Sequence, residues 1–171
     1  MAHYPAPDFE KKICGPELLV SRIQRLPRPL VFTNGCFELL HRGHATYLAQ
    51  ARALGASLMV GVNSDTSVTR LSKGVGRPVN NLNDRMSVLA ALESVNLVTW
   101  FDDDTPLALI RACKPDVLVK GGDWKTENIV GAREVSGWGG TVHSILFLYQ
   151  TSTTAMLEKI RGSQPSKVKD R

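Results

Sequence analysis

Five short runs of β-branched and aliphatic residues, at 30–33, 57–62, 96–100, 116–120 and 141–147, alternate along the chain with segments of helical period. A strand that is apolar almost without interruption is buried on both faces, because a strand with one wet face would alternate polar and apolar positions. Between the runs, Tyr47, Leu48, Ala51 and Leu54 recur at helical spacing, as do Met86, Leu89, Ala90 and Leu92. Leu107, Ile110 and Ala112 follow a Thr105-Pro106 helix start. The pattern predicts right-handed strand-helix-strand crossovers and an α/β fold: a Rossmann-like doubly wound sheet of about five parallel strands with helices on both faces, as a single domain. Such sheets bind ligands beyond the carboxyl ends of their strands, so the chemistry is sought in the residues that follow each run.

A chain of 171 residues, 43% hydrophobic and 22% charged, has material for one packed core and is unlike collagen, coiled coil or a wholly disordered chain. The expected domain spans 13–162, between a flexible N-terminal segment at 1–12, which carries Pro5 and Pro7, and a flexible tail at 163–171. No stretch approaches the ~20 apolar residues of a membrane helix and no leader pattern opens the chain, so the expectation is a cytoplasmic protein with no membrane partner. Cys14, Cys36 and Cys113 are scattered without a C-x-x-C pair, which fits buried thiols better than a disulfide framework or a zinc site. The formal charge of +5 favours anionic partners. Away from the tails the longest cationic run is Lys11-Lys12, and no basic stripe is interleaved with aromatics, so phosphorylated small molecules fit better than nucleic acid.

The first run leads into Thr33-Asn34-Gly35-Cys36-Phe37-Glu38-Leu39-Leu40-His41-Arg42-Gly43-His44, and a helix follows. Gly35 can take a backbone conformation closed to other residues, and the amides at the helix start near Gly43 and His44 offer donors to an anion. His41 and His44 can both project into that place and donate hydrogen bonds to a phosphoryl group as its charge grows. Taken alone, two such histidines read more simply as surface or capping residues. No third ligand stands at a helical offset to complete a zinc set.

Other segments carry their own physics. Lys73 lies in a Gly-rich loop at 72–76, where an ammonium could reach a phosphate as a point charge. Arg77 and Arg85 offer forks suited to phosphate, although Arg85 reads equally as an ion-pair partner of Asp84 or Glu93. Lys120, Gly121, Gly122 and Asp123 follow a buried-looking strand, as a tight turn or as a backbone that a nucleotide can approach. Ser152, Thr153 and Thr154 bring hydroxyls and unpaired amides to a helix start, which serves capping and phosphate binding alike. Asp65 and the trio Asp102, Asp103 and Asp104 could touch Mg²⁺ or ribose, with helix capping preferred for the trio. Trp100, Trp138 and His143 are most simply packing residues.

The segment NGCFELLHRGHATYL resembles the H-x-G-H signature of the nucleotidyltransferase superfamily. The ordered stretches Val62-Asn63-Ser64-Asp65, Arg70-Leu71 with Lys73-Gly74, Arg77-Pro78, Asn83-Asp84-Arg85, 101–106, 115–123, Ile129-Val130-Gly131 and Ser152-Thr153-Thr154 are similar to its heptose 1-phosphate adenylyltransferases, over about 28–161. The resemblance implies an enzyme that transfers AMP from ATP, with Mg²⁺, to a sugar 1-phosphate, giving ADP-heptose and pyrophosphate for lipopolysaccharide precursor synthesis. It implies His41, His44 and Lys73 as catalytic residues. Nucleotide contacts would come from Thr33, Asn34, Gly35, Cys36, Phe37, His41, His44, Lys120, Gly121, Gly122, Asp123, Ser152, Thr153 and Thr154. Acceptor contacts would come from Asn63, Asp65, Lys73, Arg77 and Arg85, with no protein ligand assigned to the metal. A homodimer and a separate heptose kinase are implied as partners. Cytidylyltransferases of the superfamily carry an arginine five residues before the serine of S-T-T, where this chain has Phe147. The alternatives are a cytidylyltransferase acting on glycerol 3-phosphate or another polyol phosphate, and a catalytically silent nucleotide-binding module.

Overall fold

The computed structural model describes residues 5–71, 76–149 and 151–162. Each apolar run becomes a strand: β1 (Leu30–Gly35), β2 (Ser57–Asn63), β3 (Leu97–Phe101), β4 (Val117–Gly121) and β5 (Thr141–Ile145). All pair in parallel, in the order β3-β2-β1-β4-β5. The helices are α1 (Leu19–Ile23), α2 (Arg42–Arg52), α3 (Asp65–Arg70), α4 (Leu82–Ala90), α5 (Leu107–Cys113), α6 (Ala132–Gly137) and α7 (Thr153–Gly162).

Residue parity divides the core. Phe32 pairs with Met59 and Leu118 across the sheet, and all three belong to the layer roofed by Leu19 and Ile23 of α1, Ile110 of α5 and Val135 of α6. Val31 pairs with Leu58 and Val117 on the opposite face, under Leu48 and Ala51 of α2 and Leu89 and Ala90 of α4. Burial of each such side chain stabilises the fold by about 1.5–3 kcal/mol, so β1 is anchored from both sides and its end is a rigid base for a site.

The strand order decides where that site lies. The chain moves outward from β1 to β3 and then returns to the other flank of β1 for β4 and β5. Loops leaving β1 and β4 therefore depart in opposite directions, and a crevice opens between them at the carboxyl ends.

Three local features differ from the sequence expectation. Asp8–Lys12, placed in the loose N-terminal segment, forms a 3₁₀ turn. Its Phe9, with Ile13, packs on the second core layer, and Cys14 N donates to Val98 O along the edge of β3. Leu54 falls beyond the end of α2 and is exposed. The last strand stops at Ile145, not at 147, and the chain turns back over the start of α2, bringing the Tyr149 carbonyl against Gly43. Cys14, Cys36 and Cys113 are buried and not joined in disulfides. Among the described residues no helix is long and apolar enough to cross a membrane.

Candidate active site

The crevice is a cleft of about 430 Å³ lined by the turn after β1, α2, the end of β4 and the start of α7, with Arg77 and Phe147 at its border. The turn after β1 is sharp because Phe37 has φ 46°, a left-handed conformation that costs a non-glycine residue of order 1 kcal/mol or more. Its ring is buried and edge-on to His44 at 5.3 Å, and that packing holds the turn. The special backbone expected at Gly35 thus belongs to Phe37. Glycine is needed at 35 for space, since a Cβ there would lie 3.0 Å from the Phe37 ring.

His41 occupies the N-cap position of α2 and His44 its first turn. Their rings stack with centroids 3.8 Å apart and planes inclined by 22°. Gly43 permits this crowding: a Cβ there would come within 2.8 Å of the Tyr149 carbonyl and 3.0 Å of the His41 ring. Burial lowers the pKa of His41 below its ordinary 6.5, so the imidazole is neutral at pH 7 and presents an N–H donor. The unfolded chain takes up this proton before the folded one. The contribution to stability is therefore complete above pH 6.5 and is lost as pH falls through the lowered folded value. Thermal melts between pH 7.5 and 5 are expected to fall less steeply for His41→Gln than for the unaltered protein; parallel curves would contradict this.

Across the cleft, Ser152 Oγ accepts from Ala155 N at 3.1 Å and caps α7, whose N-terminal end lines the cleft with Thr151, Thr153 and Thr154. From β4, Lys120 Nζ donates to Asn34 Oδ1 at 3.4 Å, tying the ends of the two central strands. His41, His44, Asn34, Gly35, Cys36, Phe37, Lys120, Gly121, Ser152, Thr153 and Thr154 thus line one cleft.

Other candidates fall elsewhere. Thr33 is fully buried, with Oγ1 2.5 Å from the Tyr47 hydroxyl, which also donates to Val119 O at 3.3 Å. Thr33 therefore lies behind the cleft and fastens α2 to β1. Burial raises the Tyr47 pKa, so the phenol keeps its proton and remains a donor. Gly122, with φ 120°, and Asp123 turn the chain away from the lining. That turn allows Trp124 Nε1 to donate to Gly121 O at 3.1 Å.

Arg85 is the largest departure. Its guanidinium is fully buried and donates to Cys36 O at 2.6 Å, Asn63 O and Asp65 Oδ1 at 2.8 and 2.7 Å, and Asn80 O at 3.0 Å. It meets neither a cleft nor Asp84 or Glu93, and it clamps the ends of β1 and β2 together. Asp65 is engaged by this clamp and by Leu82 N, so it too is structural. Arg77 does border the cleft, but its fork bites Glu38 at 2.5 and 2.6 Å with both side chains nearly buried. Asp102 accepts from Ser64 Oγ and Asp104 from Arg70 Nε, so these carboxylates secure α3 and do not cap α5, whose N-cap is Pro106. Trp138 Nε1 bonds Pro115 O, Trp100 packs on the second core layer, and His143 lies beside Thr141. Lys73 lies outside the described residues.

A second hollow of about 290 Å³ shares Asn34, Gly35, Cys36 and Lys120 with the first and extends past Asn63, Asp104, Thr105, Trp124 and Asn128. Of its outer wall, the sequence reading singles out Asn63 and Asp104 but not Asn128, nor Glu38 of the first cleft, although a carboxylate inside the otherwise apolar CFELL run is a signal for a buried ion pair.

Many nucleotide-binding proteins share a parallel sheet with a crevice at its switch point, and they differ in how the turn after the first strand presents groups to phosphate. Here that turn delivers a histidine pair on either side of a helix-start glycine, and the chain belongs to the cytidylyltransferase-like family, matched over residues 32–163. Within it, the chain is 52% identical over 155 residues to the D-beta-D-heptose 1-phosphate adenylyltransferase of Bordetella bronchiseptica, covering 90% of this chain and 96% of that protein. It is 56% identical over 135 residues to the bifunctional protein HldE of Hahella chejuensis, covering 79% of this chain and 28% of that protein. The chain thus spans about a third or less of the bifunctional relatives. Among solved structures, the lipopolysaccharide core biosynthesis protein of Thermoplasma volcanium GSS1 superposes with a TM-score of 0.57 at 25% identity, over 71% of this chain and 98% of that one. The pantoate-beta-alanine ligase of Francisella tularensis, at 14% identity and a TM-score of 0.58, shares the fold over 83% of this chain and 68% of its own.

Proposed function

We propose that this chain transfers AMP from ATP to D-glycero-β-D-manno-heptose 1-phosphate, giving ADP-heptose and pyrophosphate. The observation that carries the reading is the meeting of His41 and His44 with Lys120 and the α7 start in one cleft, beside a second hollow with the same floor. A triphosphate in the first and a sugar phosphate in the second would meet over Asn34, Gly35 and Cys36. A phosphate oxygen of the acceptor attacks the α-phosphorus in line, the bond to the β-phosphate oxygen breaks, and pyrophosphate departs with the electron pair. The attacking phosphate is already an anion, so no general base is required. The chain's part is to align the two and to stabilise the growing charge with the histidine N–H groups, Lys120 and the α7 amides. Lys73 is assigned to the acceptor phosphate in this reading.

Mg²⁺ is assigned to the triphosphate. Glu38 is engaged by Arg77, and among the described residues no three His, Cys, Asp or Glu converge to hold an ion. In this reading an ion carried by substrate phosphates and water would neutralise charge on the leaving pyrophosphate.

The reading includes a cytoplasmic homodimer supplied with heptose 1-phosphate by a separate kinase. Incubation with ATP, CTP, GTP or UTP against heptose 1-phosphate, glycerol 3-phosphate or no acceptor, followed by mass spectrometry, tests it. The expected result is ADP-heptose from one pairing. CDP-glycerol would install the cytidylyltransferase alternative, and ATP binding without pyrophosphate in any arm would leave a silent nucleotide-binding module.

A further inference from the structure

Phe147 stands at the mouth of the cleft with 38% of its surface exposed. Besides the rings of Phe37 and Tyr47, the cleft lining around it holds imidazoles, hydroxyls, an ammonium, a guanidinium and the Glu38 carboxylate. The ring is nevertheless firmly oriented. It is T-shaped to Tyr47 at 5.4 Å and to His44 at 6.3 Å, and its tip lies 2.6 Å from where a Cβ on Gly121 would be. Only glycine at 121 leaves room for it. An aromatic side chain held by ring contacts and left partly exposed in a cleft read as a triphosphate site offers nothing to phosphate and little to ribose. A nucleobase has a flat, weakly hydrated π surface that matches it. Trp124 is the other exposed aromatic nearby, but its indole is tied to Gly121 O and it borders the second hollow.

We propose that Phe147 is the platform on which the nucleobase stacks, and that it favours purine over pyrimidine because the larger ring covers more of it. This rests on the reading that a nucleoside triphosphate occupies the first cleft. The base then lies between the end of β4 and the start of α7, with the phosphates running inward to His41 and His44. The position thus recognises the base and leaves phosphate to Lys120, the histidines and the α7 start.

Calorimetric titration of the full chain with ATP, CTP and tripolyphosphate, which has no base, tests this on Phe147→Ala, Phe147→Leu and Phe147→Trp. Loss of a base stack is expected to weaken ATP roughly ten- to a hundredfold in the alanine and leucine variants, with CTP affected less, tripolyphosphate unchanged and the tryptophan variant retaining ATP. Equal weakening of ATP and tripolyphosphate would show that the ring only props His44 and would overturn the proposal, as would unaltered ATP affinity in the alanine variant. If the unaltered protein binds ATP but releases no pyrophosphate with any acceptor, the adenylyl-transfer reading falls while the titrations still decide the platform.

Discussion

His44→Ala is expected to lower turnover by about 10²–10³, the usual loss when one preorganised donor to a developing phosphoryl charge is removed. His44 lies in the first turn of α2, stacked on His41 and flanked by the rings of Phe37 and Phe147, so its direction is set before substrate arrives. Preorganisation makes the donor effective in the transition state without reorganisation at that moment, and KM for ATP should change much less than kcat. The melting temperature should move little, since the ring is only half-buried and the α2 backbone contacts remain. Single-turnover measurement of pyrophosphate release checks the rate. A folded variant with undiminished turnover would remove His44 from the chemistry, and a rise in KM alone would make it a ground-state phosphate holder.

Arg85→Met is the second large effect, and it concerns stability. The side chain keeps most of the volume but leaves the carbonyls of Cys36 and Asn63 without their buried donor. Each such orphan costs about 1–3 kcal/mol, and with the lost bonds to Asn80 O and Asp65 the total is expected to be ~3–5 kcal/mol. The Asp65 share is small because that carboxylate is 45% exposed and screened by water. For a domain of this length the shift corresponds to a fall in Tm of roughly 6–20 °C. Arg85→Lys should recover only part of it, because an ammonium cannot fork to four acceptors on three sides. An unchanged Tm with a raised KM for the sugar phosphate would restore Arg85 to the acceptor site.

The contrast between these two residues shows what was legible beforehand. Both stand in recognisable segments, HRGH and NDR. The H-x-G-H pair needs only a strand end and a helix start to acquire its geometry, and those are local consequences of apolar runs and helical period. The fate of Arg85 depends on which chain atoms lie around it, and its four acceptors come from positions 36, 63, 65 and 80. Glu38 and Arg77 likewise find each other across 39 positions. Phe147 illustrates the same limit: as a letter in the sequence it was a missing arginine, and in space it is an aromatic ring lining the cleft and T-shaped to His44 and Tyr47.

The amino-acid order by itself determined the parallel α/β sheet, the positions of its five strands to within a residue or two, and the segments that gather at the switch point. Hydrophobic periodicity and helix-start chemistry act between near neighbours and leave a trace in any linear reading. Only the tertiary structure decided which polar side chains face the cleft and which are consumed in holding it. Guanidinium and carboxylate groups reach several ångströms and bond whatever acceptor or donor packing brings within range, and burial then makes that choice binding.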